Sequence, residues 1–186
     1  ANAPVFPVAT PSGDGVARLR EHLAAEDRAR SGHPVSGNFR LSIDRSFTLT
    51  GAGLVVTGAV FSGSAVVGDA LLLSPQGIEV RVRAIHAQGQ PADRANAGQR
   101  CALNLAGAAL RKADIVRGDW LVAPRAHLPT QRIDVSVTLL ADAPSPLGHW
   151  SPVQLHLGSG ACHARLALVA DRSRLACRPG QPAHCH

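Results

Sequence analysis

From residue 39 to residue 49 the chain alternates apolar and polar side chains. Phe39, Leu41, Ile43, Phe47 and Leu49 are interleaved with Arg40, Ser42, Asp44, Ser46 and Thr48. A period of two puts one set on each face of an extended strand, whereas a helix would scatter both sets around its axis. The run closes in a tight turn, Thr50-Gly51-Ala52-Gly53, and Leu54-Val55-Val56-Thr57 resumes as a second, β-branched strand. Further short strands follow behind Gly-rich turns. Gly68-Asp69 opens Ala70 to Leu73; Val80, Val82 and Ala84 alternate with Glu79, Arg81 and Arg83; Cys101, Leu103 and Leu105 alternate with Arg100, Ala102 and Asn104; and Arg117-Gly118-Asp119 turns into Trp120-Leu121-Val122. Short strands at this spacing predict a six-stranded or similar closed antiparallel barrel over residues 37–126.

The flanks differ. Pro4 to Ala9 reads as a short extended stretch, and Val16, Leu19 and Leu23 place one apolar stripe on a helix that fades near Arg30, with Ser12 or Asp14 able to cap its start. One strand and one helix cannot bury themselves, so residues 1–36 are read as the tail of a larger α/β domain plus a Gly/Pro linker at Ser31 to Asn38. After Pro124 and Pro129 a second β region begins. Ile133, Val135, Val137 and Leu139 alternate, and Val153 to Leu157 and Arg165 to Val169 are two further strand candidates. Residues 127–186 are read as an incomplete second barrel, less ordered than residues 39–125 because its strand edges stay unpaired. From Asp171 onward the pattern dissolves, and a frayed tail is expected. The sequence starts at Ala1 and contains no Met, so it is read as a segment of a longer chain.

The formal net charge is +6, which favours a polyanionic partner. Lys112 is the only lysine, and the abundance of Arg fits either phosphate recognition or a GC-rich genome. Aromatics make up 3% and Tyr is absent, too few for a sheet that stacks RNA bases. The four cysteines, Cys101, Cys162, Cys177 and Cys185, form no C-x-x-C pair, so free thiols are expected and no metal site. There is no G-x-x-x-x-G-K-[ST] loop to hold a nucleoside triphosphate, and Gly51-Ala52-Gly53 is a hairpin turn, not a dinucleotide fingerprint. No catalytic triad can be assembled from the scattered histidines. Without an apolar run of membrane-spanning length or a signal peptide, a cytoplasmic protein that does not enter a membrane is expected.

Two places resist a plain structural account. Strict alternation puts Arg45 on the apolar face with Ile43 and Phe47, where an unpaired guanidinium is costly. Either a bulge turns it outward or the site, with Asp44 beside it, holds a fixed charge network. The other place is Arg100, at the head of its strand.

These residues carry a resemblance. Phe39 to Thr48, Gly51 to Gly58, Val67-Gly68-Asp69, Val80 to Gln88, Ala97 to Gly107 and Arg117 to Leu121 closely resemble the second domain of the selenocysteine-specific elongation factors, the SelB family. The G-A-G-x-V-V-T-G and V-G-D turns are shared with other translational GTPases. His86-Ala87-Gln88 and Arg117-Gly118-Asp119-Trp120-Leu121 are more particular to this family. The likeness extends loosely back over the helix at 14–30 and forward into the first half of a third domain, and it thins after His163 to Arg165.

The resemblance implies a mainly β fold, an elongation factor Tu domain II-like barrel followed by part of a second barrel and preceded by a remnant of a G domain. It implies a tRNA-facing module, not a catalyst, within a factor that delivers selenocysteyl-tRNA to the ribosome at recoded UGA codons. GTP and Mg would be held elsewhere in the intact, monomeric protein, and the selenoprotein mRNA hairpin would be bound by a region beyond this one. The family's selenocysteine pocket is lined by an Asp-Arg pair and a further Arg, which match Asp44, Arg45 and Arg100. Three other readings stand beside this one: the barrel of another translational GTPase, a flavin- or nucleotide-binding barrel of an oxidoreductase, and a structural fragment without activity of its own.

Overall fold

The computed structural model describes residues 3–29 and 36–168, and the backbone of 176–177 and 182–185. The chain divides into two compact units, Ala1–Pro34 and Val35–His186.

In the first unit, helix α1 spans Val16–Ala29 and has no buried residue. Val16 and Leu19 are half covered, whereas Leu23 is exposed. Phe6 folds back onto the helix, its ring 4.8 Å from that of His22 and beneath the Arg18 guanidinium. Among the described residues no strand forms along Pro4 to Val8; one isolated bridge joins Ala9 to Asp14. An extended segment becomes a strand only against a partner. Ser12 donates to the Asp14 carboxylate just ahead of α1.

In the second unit, the strands β1 (Arg40–Leu49), β2 (Gly53–Ser62), β3 (Ser64–Val66), β4 (Ala70–Ser74), β5 (Ile78–Ala87), β6 (Gln90–Ala92), β7 (Arg94–Asn96), β8 (Arg100–Ala106) and β9 (Trp120–Val122) come first. Six of them close a ring in the order β4-β9-β1-β2-β8-β5, and β5 returns to β4. Every pairing in the ring is antiparallel. Leu41, Ile43, Val56, Val60, Leu73, Val82, Ile85, Leu103 and Leu121 fill its interior, each at most 2% exposed. The predicted antiparallel barrel is therefore present. β3 and β7, three residues each, pair at its rim and carry too little pattern to be read from sequence.

Register shifts occur at three places in the ring, at Phe61 of β2, Asp44 of β1 and Arg83 of β5, and the last two break the expected alternation. Ile43 faces Gly58 and Arg45 faces Thr57, so Asp44 is an extra residue in β1; Arg83 plays the same part in β5. One inserted residue reverses the facing of everything beyond it. Phe47 and Leu49, expected on the core face with Ile43, stand on the outside, and so does Ala84, expected inward with Val80 and Val82. Arg45 is turned outward by the same insertion.

Beyond the barrel, β10 (Val135–Thr138), β11 (Leu147–Gly148), β12 (Ser151–Leu157), β13 (Gly160–Leu166), β14 (Ala176–Cys177) and β15 (Pro182–Cys185) pair as three two-stranded sheets. Leu166 and Leu168 make a small core there with Val135, Val137, Leu139, Leu147 and Val153. The expected frayed tail falls outside the described residues except for the backbone of β14 and β15. No helix among the described residues is long and apolar enough to cross a membrane.

Candidate functional site

The bulges build a site on the outer face of four consecutive ring strands, β1-β2-β8-β5. Residues directly opposite in an antiparallel ladder share a face. Phe47 lies opposite Val55, Val55 opposite Asn104, and Asn104 opposite Ala84; likewise Thr57 lies opposite Ala102, and Ala102 opposite His86. These side chains, with Leu49, Ala52, Gly89, Arg100 and Cys101, line an open groove of about 340 Å³. Without the two insertions, Phe47, Leu49 and Ala84 would point inward and the groove would lose its apolar walls.

The groove has a fixed polar end. Arg100 donates from Nε to Asp44 Oδ2 at 3.0 Å and from Nη2 to Asp44 Oδ1 at 3.0 Å. Thr57 Oγ1 donates to the same Oδ1 at 2.6 Å, and Arg100 Nη2 lies 3.3 Å from Thr57 Oγ1. A two-point fork fixes a guanidinium in plane as well as in place. The Arg100 side chain is nevertheless 57% exposed, so the pair adds about 1 kcal/mol of stability at most, and what it supplies is orientation. Nε and Nη2 are engaged, whereas both N–H groups of Nη1 lack a partner among the described residues. At the other end, Asn104 Nδ2 donates to the Ala52 carbonyl and ties β8 to the β1–β2 turn.

The structure brings two of the three sequence-predicted site residues, Asp44 and Arg100, into direct contact. Arg45 lies on the same outer face, opposite Thr57, exposed and without an ion pair among the described residues. Of the two anticipated solutions to the Asp44-Arg45 problem the first holds for Arg45, which the bulge turns outward; the charge network that forms joins Asp44 to Arg100 and does not include Arg45. Sequence reasoning missed Thr57, which orients Asp44, and the groove walls Phe47, Leu49, Ala84 and His86. A bulge leaves no signal except a charge on the wrong parity, and Arg45 was that signal. Cys101 is buried beneath the groove, and burial pushes its thiol pKa up. Cys162 is exposed; among the described residues no cluster of potential metal ligands occurs.

The family profile for elongation factor Tu domain 2 matches residues 53–122. The chain is 44% identical over 92% of its length to the selenocysteine-specific elongation factor of Escherichia coli K12, and 37% identical over 98% to that of Desulfomicrobium baculatum. The chain belongs with the selenocysteine-specific elongation factors. It spans little more than a quarter of these relatives, 27% and 28% of their respective lengths. The same fold occurs in a crystal structure of a bacterial selenocysteine-specific elongation factor (TM-score 0.76, 20% identity, covering all of this chain and 29% of that one). It also occurs in the apo elongation factor SelB of Methanococcus maripaludis (TM-score 0.72, 21% identity, covering all of this chain and 42% of that one). The barrel is thus the second-domain barrel of a translational GTPase family.

Proposed function

We propose that this segment contributes the aminoacyl-tRNA-binding barrel of a factor that delivers selenocysteyl-tRNA to the ribosome, with Asp44, Arg45 and Arg100 recognising the selenocysteine side chain. The observation that carries this reading is the Arg100 guanidinium, held along one edge by Asp44 and Thr57 with Nη1 uncommitted beside an open groove. A selenol is more acidic than a thiol, whose reference pKa is about 8.5, so at neutral pH the selenocysteine side chain is an anion. The serine hydroxyl of the precursor tRNA is neutral. Arg100 Nη1, reinforced by the positive field of Arg45, offers charge-assisted donors to a selenolate. A serine in the same place would leave two cations uncompensated, and discrimination follows from charge, not from pocket size. Asp44 neutralises part of the positive charge and keeps Arg100 from folding away.

In the longer protein, residues 1–36 would end the GTP-binding domain, 37–126 would form domain II and 127–186 would open domain III. GTP and Mg do not fit the residues here, since no phosphate-cradling loop occurs in the sequence, and they would be held by the preceding domain. The mRNA hairpin would engage a region further along, and the factor would work in the cytoplasm as a monomer.

The test joins this chain to a GTP-binding domain of the family and compares selenocysteyl-tRNA with seryl-tRNA in the presence of GTP. A strong preference for selenocysteine that collapses in Arg100→Ala supports the anion site. Equal binding of both, with a steep salt dependence, would leave a generic tRNA-facing barrel held by phosphate contacts.

A further inference from the structure

The hairpin of β12 and β13 turns at Gly158-Ser159, and this tip is seated on the barrel beside the β1 bulge. Its approach is close enough to exclude side chains. A Cβ on Gly158 would lie 2.4 Å from Ser42 Oγ and 2.9 Å from the Trp120 ring, and one on Gly160 would lie 2.9 Å from the Gly118 Cα. Between these glycines Ser159 makes the contact. Its backbone N–H donates to Ser42 Oγ at 3.0 Å, the two hydroxyl oxygens are 3.0 Å apart, and Ser159 Oγ donates to the Ile43 carbonyl.

A hydroxyl has a single proton. With the Ser159 proton on the Ile43 carbonyl, the Ser42 hydroxyl must donate to Ser159 Oγ. The donors therefore run one way, from Ser42 to Ser159 to Ile43, and end on a carbonyl that also receives the Gly118 N–H at 3.0 Å. That carbonyl belongs to the peptide group joining Ile43 to Asp44, the inserted residue of the bulge. Its direction sets the backbone torsion from which the Asp44 side chain departs. Ser42 is 3% exposed, so the network operates away from bulk water.

We infer that Ser159 is a positioning residue: through the Ile43–Asp44 peptide it fixes the bulge that holds Asp44 against Arg100, and so links the β12–β13 hairpin to the groove. The importance of this link for aminoacyl recognition rests on the function proposed above; the link itself does not. A hairpin that only braces the barrel would act equally through any of its contacts. One of these is Arg117, whose Nε donates to the Ser159 carbonyl at 3.1 Å without joining the hydroxyl chain.

The test is water exchange of the Arg100 Nε–H, read by NMR in the 186-residue chain without tRNA and assigned by its loss in Arg100→Lys. In Ser159→Ala, which removes both bonds of the Ser159 hydroxyl, the Arg100 Nε–H should exchange about fivefold faster, the effect on a local opening of losing the one that holds the Ile43 carbonyl. In Arg117→Ala it should change by less than about twofold, since the hydroxyl chain is intact. Unchanged exchange in Ser159→Ala, or equal acceleration in both variants, would overturn the inference. A chain that bound seryl- and selenocysteyl-tRNA alike would instead remove the proposed function and leave this result standing.

Discussion

Gly58→Ala is the substitution most directly readable from the barrel wall. Gly58 lies opposite Ile43, next to the bulge, on the inward-facing parity of β2. A Cβ there would stand 2.1 Å from the Ser42 carbonyl oxygen, 2.9 Å from its carbon and 2.6 Å from Leu41 Cδ2. Two of these three are backbone atoms of the neighbouring strand, so no rotamer change relieves the overlap. β1 must retreat by roughly 1 Å, and overpacking of this kind costs about 1–3 kcal/mol. The entropy that alanine removes from the unfolded chain offsets about 0.4–1 kcal/mol of that. The net loss of about 0.6–2 kcal/mol, like ends of the two ranges being paired, corresponds to a fall in melting temperature of roughly 1–8 °C for a chain of this size. Thermal unfolding followed by tryptophan fluorescence is suited to the measurement, because Trp120 packs edge-on against Phe61 of β2 at 5.1 Å. The same retreat displaces the Asp44 bulge, so the Arg100 Nε–H should lose protection alongside. A Gly58→Ala chain as stable as the parent, with Arg100 still protected, would refute the account of how this wall is built.

Two further predictions concern titrating groups. Burial raises the Cys101 thiol pKa, so at any given pH it holds less thiolate than an exposed cysteine, and alkylation mapped by mass spectrometry should modify Cys162 well before Cys101. The side-chain and backbone hydrogen bonds from Arg111 hold the Asp114 carboxyl below its ordinary pKa. Its folded-state value is the depressed one, so the stability it contributes is present above the unfolded pKa and is lost as pH falls through the folded value. An NMR titration should place Asp114 below the usual aspartate range, and Arg111→Ala should raise it part of the way back, because the backbone N–H of residue 111 still donates to the carboxylate.

The barrel strands were legible because Leu41, Ile43, Val80, Val82, Cys101, Leu103 and Leu105 keep a strict period of two, and a half-buried strand needs nothing else to declare its face. The site was legible only in part. Asp44 and Arg100 could be flagged as charges needing a reason, but their meeting depends on strands far apart in sequence. Phe47, Leu49 and Ala84 were assigned to the core because parity counting carries no memory of an inserted residue. Thr57 looked like one more β-branched position in a buried strand. Gly158-Ser159-Gly160 drew no reading from the sequence, which placed the strand after Val153 to Leu157 at Arg165 to Val169, whereas β13 spans Gly160–Leu166. The contact of Ser159 with Ser42, 117 positions away, is a product of the folded chain alone.

The proposed recognition of charge on the aminoacyl side chain can be probed with cysteinyl-tRNA, whose thiol ionises within the accessible pH range. With a reference pKa near 8.5, the thiolate fraction rises roughly fifteenfold between pH 7 and 8.5. Binding should be measured across that range to the chain joined to a GTP-binding domain, with seryl-tRNA in parallel. Affinity for cysteinyl-tRNA should climb with pH, affinity for seryl-tRNA should stay flat, and Arg100→Ala should abolish the climb. A pH-independent affinity for cysteinyl-tRNA, or a climb that survives Arg100→Ala, would contradict the proposed recognition.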